Sequence, residues 1–263
     1  MKRHRILGYG LLVLVFGFVA SCSQQVGRAP AYAPPESNQE AGDMMAVNAP
    51  KPKRTGIATG WGREMESRLT YKPFVRAVDK PKGISIIRYN DLEGAKAMGV
   101  NRKFQQPGMK TAVNDLVEWG MSSRFGALNH YWWRDERFVI GKKDLEYQIQ
   151  VRNLSDARLE VVLSVDGLDV MDGKPASVKK RGYLIAPGKK LVVRGFRTSE
   201  EKVATFKFSS VENSYANLRH GNPRNVGVVG LAVFTEKGNE PGIEGRVRGQ
   251  ARAFAEAPLV QGR

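Results

Sequence analysis

Leu145, Tyr147, Ile149 and Val151 alternate with Glu146, Gln148, Gln150 and Arg152. Successive side chains of a strand point to opposite faces, so this segment has one apolar face and one wet face. Asn153-Leu154-Ser155-Asp156 turns the chain, and Leu159, Val161, Leu163 and Val165 alternate again, with Val162 and Ser164 opposite. Strands with one apolar face must bury it against another layer.

The pattern recurs through the chain. Ile84 to Tyr89 reads as a strand ended by the turn-prone Asn90-Asp91, and Trp132 to Ile140 as another with Phe138 and Ile140 inward. Asp166-Gly167 and Asp172-Gly173 bracket a short piece from Leu168 to Met171. Arg181–Ile185 and Leu191–Phe196 flank Ala186-Pro187-Gly188-Lys189, with Pro and Gly at the central turn positions, and are expected to pair as a hairpin. Further strands are expected at Val203–Ser209, Val226–Thr235 and Arg246–Phe254. Without a long helical pattern between them, these segments predict a mainly β fold. The expected architecture is an antiparallel β-sandwich of about seven or eight strands, with a closed barrel as the alternative.

Upstream of the sandwich, expected over 126–256, the reading is less regular. Residues 57–125 are expected to form a basic arm and mixed extension packed on the body. Glu93 to Met98 suggests a short helix, and Leu116 to Met121 either a short helix or a loop packed by its aromatics. Residues 22–56 are rich in Pro, Ala, Ser, Gln and Gly and hold no period, which predicts a disordered tether.

The N-terminus is more specific. Lys2, Arg3, His4 and Arg5 precede an apolar run from Ile6 to Ala20, followed by Ser21 and Cys22, the only cysteine. This is the layout of a secretory signal over residues 1–21, and the run is shorter than the roughly 20 residues that span a bilayer. Val19-Ala20-Ser21-Cys22 resembles the lipobox of bacterial lipoproteins. The resemblance implies that Cys22 is lipidated and becomes the new N-terminus. Ser23, where an Asp often retains such proteins at the inner membrane, implies an outer-membrane anchor, with the body facing the periplasm. Residues 131–254 also resemble a domain of exported proteins of double-membrane bacteria, a family without established function. That likeness rests on Asp166-Gly167 with Asp172-Gly173, Ile185-Ala186-Pro187-Gly188, Phe206 to Ser209 before Ser214-Tyr215-Ala216, and Asn222-Pro223-Arg224-Asn225-Val226-Gly227.

With Cys22 lipidated, the chain has no thiol for a disulfide, a metal site or a nucleophile. Removing the signal leaves a net charge of +13, unevenly spread: residues 51–110 carry 14 Lys/Arg against 5 Asp/Glu, and residues 111–263 carry 24 against 18. Such a field attracts anions, and an exported protein meets phospholipid headgroups, lipopolysaccharide phosphates or acidic wall polymers before nucleic acid. The other reading is a solvated basic surface.

Candidate sites are few. Asp166, Asp169 and Asp172 invite a calcium or paired-carboxylate reading, although Asp-Gly is an ordinary turn pair. His130 and His220 lack metal-site spacing, and no G-x-S-x-G elbow or phosphate loop occurs. Trp132, Trp133 and Arg134 are candidates to stack on a sugar or meet a protein; on a strand the two indoles face opposite ways. The stretch 213–225 is long for a hairpin connection and offers Tyr215, His220, Arg224 and Asn225 for binding. The expectation is a non-enzymatic envelope protein without cofactors. It would bind a protein partner, peptidoglycan or another glycan, or anionic lipid or lipopolysaccharide. An envelope glycan hydrolase using the aspartates and a structural assembly subunit are the alternatives.

Cys22→Ser is expected to abolish metabolic labelling with palmitate and to release exported protein from the membrane fraction; persistent labelling contradicts the lipoprotein reading.

Overall fold

The computed structural model describes residues 54–106 and 108–242, so Cys22, the tether and the strand expected at 246–254 lie outside the described residues. In chain order the first strands are β1 (Ile57–Glu66), β2 (Gly83–Asn90), β3 (Asn101–Gln106), β4 (Lys110–Ala112) and β5 (Val117–Ser123). Then come β6 (Gly126–Ala127), β7 (His130–Trp133), β8 (Glu136–Ile140), β9 (Glu146–Asn153), β10 (Leu159–Val165) and β11 (Leu168–Asp169). The last are β12 (Tyr183–Ile185), β13 (Lys190–Val193), β14 (Gly195–Arg197), β15 (Lys202–Ser210) and β16 (Val228–Thr235). Two short helices, α1 (Leu92–Ala97) and α2 (Tyr215–His220), complete the described elements.

The strands form two eight-stranded sheets. One runs β1-β15-β9-β5-β4, with β13, β14 and β6 added to β9, β15 and β5. The other runs β11-β10-β16-β2-β8-β7-β3, with β12 on β10. Pairing is antiparallel except between β2 and β8. The alternation expected over 145–152 is realised in β9 from Glu146, where Tyr147, Ile149 and Val151 are buried; Leu145 precedes the strand and is half-buried, and Gln148 and Gln150 on the face expected to be wet are half-buried. Ile149, Val151, Phe206 and Phe208 of one sheet share a core with Ile87, Leu163, Leu231 and Val233 of the other. The expected mainly β sandwich is therefore present. A smaller core of Ala95, Val100, Tyr131 and Phe138 gathers α1 and the outer side of the second sheet. Asp91 caps α1 by accepting the Gly94 amide at 2.7 Å, within one residue of the helix expected at 93–98.

A buried carboxylate ties the two sheets together. Asp166 and Gly167, with φ of 54° and 79°, are the two residues between paired Val165 and Leu168, the geometry of a tight two-residue hairpin loop. The Asp166 side chain turns into the protein and accepts from Thr59 N (2.7 Å, β1), Tyr89 Oη (2.6 Å, β2) and Gly227 N (2.8 Å). Since Tyr89 gives its only proton to the carboxylate, Thr59 Oγ1 donates to Tyr89 at 2.7 Å, and Tyr147 donates to Thr59 at 2.6 Å. Burial raises the Asp166 pKa to about 6, against the opposing pull of these donors.

Several expectations need correction. The arm expected from residue 57 begins as β1, paired with β15 from Ile57 to Glu66, and only 67–82 runs as a strap between sheets. With β2 and β5 also inside the sheets, a boundary near residue 126 separates nothing. Val117–Ser123, expected as helix or loop, is an inner strand, because the edge of β9 accepts it along Val117–Ser122. The strand expected at 132–140 is two, β7 and β8, reversed at Arg134 and Asp135 with φ of 49° and 61°. Left-handed backbone at an arginine carries little sequence signal. The expected hairpin around Pro187-Gly188 turns where expected, Lys189 N donating to Ala186 O at 3.1 Å, but its flanks do not pair with each other. β12 joins β10 in one sheet and β13 joins β9 in the other, so the turn is a crossover.

Asp166→Ala strips the acceptor from a tyrosine hydroxyl and two backbone amides, each costing about 1–3 kcal/mol when buried and unpaired. A stability loss of about 3 kcal/mol or more is expected in urea denaturation. Asp172→Ala removes a partly exposed pair with Lys180 and an exposed hydrogen bond from the Lys174 amide, and is expected to cost less than about 1 kcal/mol.

Candidate functional site

The strap and the crossover bound a cleft of about 870 Å³. The strap leaves the edge of the first sheet at Ser67, whose amide donates to Glu201 O at 2.6 Å. It reaches the second sheet at Ala77 and Lys82, whose amides donate to Thr235 and Val233. On the facing side, Gly182 sits against β10. A Cβ there would lie 2.0 Å from Val161 O, so only glycine allows this approach.

Three arginines act as struts. Arg76 Nε pairs with Glu160 Oε2 at 2.6 Å, its Nη1 and Nη2 donate to the carbonyls of Val178 and Lys180, and its guanidinium lies 3.6 Å from the Phe234 ring centre. Glu160 Oε1 also accepts the Gly182 amide at 2.7 Å. Arg158 holds Glu236 and the Pro73 carbonyl, joining β10 to the strap. Arg197 Nη1 donates to Ser67 O at 2.7 Å. Each guanidinium has its donors committed to fixing a wall.

The other cations of the lining are differently placed. Arg68 and Lys72 on the strap, with Lys179, Arg181 and Arg194 around the crossover, are exposed and lack a side-chain partner among the described residues. The acids of the lining are Glu160, already paired, and Asp79. Tyr71 and Val75 are 70% and 63% exposed, and Leu69, Leu184 and Leu191 are half-buried along the same cleft. The arrangement offers uncompensated positive charge beside apolar surface and suits binding of an anion.

None of the residues singled out in the sequence lines this cleft. Trp132 is 41% exposed and lies opposite Arg137 on the same side of the sheet as His130. Trp133 is on the other side, its Nε1 donating to Met98 O at 2.7 Å, with Arg134 and Arg88 near its ring at 4.8 and 5.7 Å. The two indoles therefore share no surface. Tyr215 is a core residue between Trp61 and Phe196, at ring separations of 4.9 and 4.8 Å. The stretch expected as a loop contains α2, capped by the Ser214 hydroxyl and by Gly221 at φ 59°. His220 Nε2 is 2.9 Å from Gly173 O, Asn225 packs against Gly167, and Arg224 is exposed. Of that set, only Arg224 presents a free charged side chain.

The three aspartates have separate duties. Asp166 is enclosed, Asp169 Oδ1 accepts the Met171 amide at 2.8 Å and Asp172 pairs with Lys180 at 2.9 Å. Among the described residues no three His, Cys, Asp or Glu side chains are grouped to hold a metal. The chain matches no family model, no curated protein and no solved structure. Sequence reasoning missed the cleft because its walls come from 67–79 and 158–203. Its available signal was the Lys179-Lys180-Arg181 run together with the basic excess at 51–110.

His130 stands apart. It is 2% exposed, and neither ring nitrogen has a partner among the described residues. Burial first, then the charges of Arg137 and Lys110, lower its pKa to about 4. The unfolded chain takes up this proton near pH 6.5 and the folded chain near 4, so the contribution is complete above 6.5 and is lost as pH falls to 4. His130→Leu removes it: the stability of wild type relative to the variant is expected to fall by up to about 3 kcal/mol between pH 7 and 4. An unchanged difference in urea denaturation contradicts the neutral buried imidazole.

Proposed function

We propose that this chain is a lipid-anchored cell-envelope protein, held through Cys22 in the outer membrane and facing the periplasm, with a non-enzymatic role in binding an anionic envelope component. The observation that carries the binding role is the cleft between strap and crossover, where five exposed cations stand unpaired among the described residues against the single unpaired acid Asp79. Three further arginines hold the walls, so the site needs little reordering to receive a partner. The anchor rests on the N-terminal pattern ending at Cys22.

Exposed charges attract less as salt screens them. The chain without lipid on Cys22 is expected to cosediment with washed envelope fragments at about 0.05 M salt and to be released by about 0.5 M. Arg181→Gln/Arg194→Gln is expected to weaken the low-salt association without moving the thermal unfolding midpoint. Association that ignores both salt and the double substitution contradicts the reading.

A further inference from the structure

Within the proposed binding role, the lining of the cleft says more about its occupant than its charge does. Arg68 and Lys72 approach from the strap, and Lys179, Arg181 and Arg194 from the crossover, so positive charge stands on both sides. Between them lie Tyr71 and Val75, largely exposed, and Leu69, Leu184 and Leu191, half-buried. A purely ionic ligand satisfies the cations and leaves that apolar surface in water, whereas a ligand with an anionic head and an apolar continuation covers both. The size is suitable, since clefts of roughly 300–1,000 Å³ enclose compact small molecules. Guanidinium groups, three of the five free cations, can each engage two oxygens of a phosphate at once, which a point charge does not.

We infer that the cleft binds a phospholipid of net negative charge, taking the headgroup phosphate on Arg68, Arg181 and Arg194 and the start of the acyl chains against Tyr71, Leu184 and Leu191. This rests on the anionic-partner reading and narrows it to one chemical class. The struts keep the trough in shape, because Arg158 and Arg197 hold the strap carbonyls of Pro73 and Ser67 to the body and Arg76 ties the strap to Glu160 of β10.

The test uses the chain without lipid on Cys22 and calorimetric titration with dihexanoyl phosphatidylglycerol as a dispersed monomer. Dihexanoyl phosphatidylcholine, glycerol phosphate and an oligoglutamate peptide are the comparisons. The phosphatidylglycerol is expected to bind at least about tenfold more tightly than any of the three. Arg181→Gln/Arg194→Gln is expected to weaken it about tenfold or more, with the unfolding midpoint unchanged. Tyr71→Ser, at an exposed position, is expected to weaken the lipid but not glycerol phosphate. Equal affinity for glycerol phosphate shows a simple anion site, equal affinity for oligoglutamate shows an acidic-peptide site, and either overturns the proposal. Salt-sensitive association with envelope fragments, lost in the double variant but without phosphatidylglycerol binding, removes the lipid and leaves the anionic-partner reading standing.

Discussion

The Asp166 carboxylate is buried where two sheets meet, and a charge in that position tolerates only arrangements that deliver its donors. Apolar faces attract one another without direction, so the core by itself leaves the lateral placement of one sheet on the other loosely specified. Asp166 adds direction. Its donors come from β1 in one sheet, from β2 in the other and from the lead into β16, and the hydroxyl chain continues to Tyr147 on β9. Burial pushes the Tyr89 and Tyr147 pKa values well above 10, with the neighbouring carboxylate adding to the effect, so both remain protonated donors. The stacked rings of Tyr147 and Phe208, 4.4 Å apart, and Tyr89 beside Phe208 at 5.3 Å pack this polar chain among aromatics.

The cleft follows from how the chain moves between those sheets. Among the several places where the chain changes sheet, the strap after β1 and the turn between β12 and β13 face each other. Such passages lack a complete ladder of backbone partners, and arginine supplies the missing anchors. Arg76, Arg158 and Arg197 each donate to main-chain carbonyls across more than eighty residues of sequence. Their near neighbours Arg68, Arg181 and Arg194 carry the same group and are left to solvent. A count of basic residues does not separate struts from binding groups; contact with the wall does.

The opposite treatment of charge appears at His130 and Arg137. Arg137 is 6% exposed and keeps its charge by donating to Trp119 O at 2.9 Å and Ser85 Oγ at 3.3 Å, with its guanidinium 4.7 Å from the Trp119 ring centre. Burial lowers even this guanidinium, to about 10. A second positive charge in the same interior is unfavourable, and the imidazole remains neutral down to about pH 4. Trp132, the exposed ring of the pair singled out in the sequence, lies beside this region, while Trp133 is engaged with Met98 and two arginines.

The sequence by itself determined the class of fold and the position of most reversals. Alternation at 145–151 and 159–165 requires strands, and Asp166-Gly167 and Pro187-Gly188 require turns, because these are properties of neighbouring residues and the backbone they allow. It did not show that the second of these strands, β10, is buried on both faces. It did not determine partners. β12 and β13 flank a well-formed turn, yet each is taken by the open edge of a different sheet, and hydrogen bonding along an edge outweighs proximity in sequence. Val117–Ser123 gives a weak strand signal and is nonetheless drawn between β4 and β9. The same separation governs the site. Tyr215 and Asp166 look available as side chains and are consumed by the core, whereas Arg68, Arg181 and Arg194 look ordinary and are brought together. Local chemistry decides where a chain bends; only the closure of the two sheets decides which charges are spent on holding it and which are left facing a cleft.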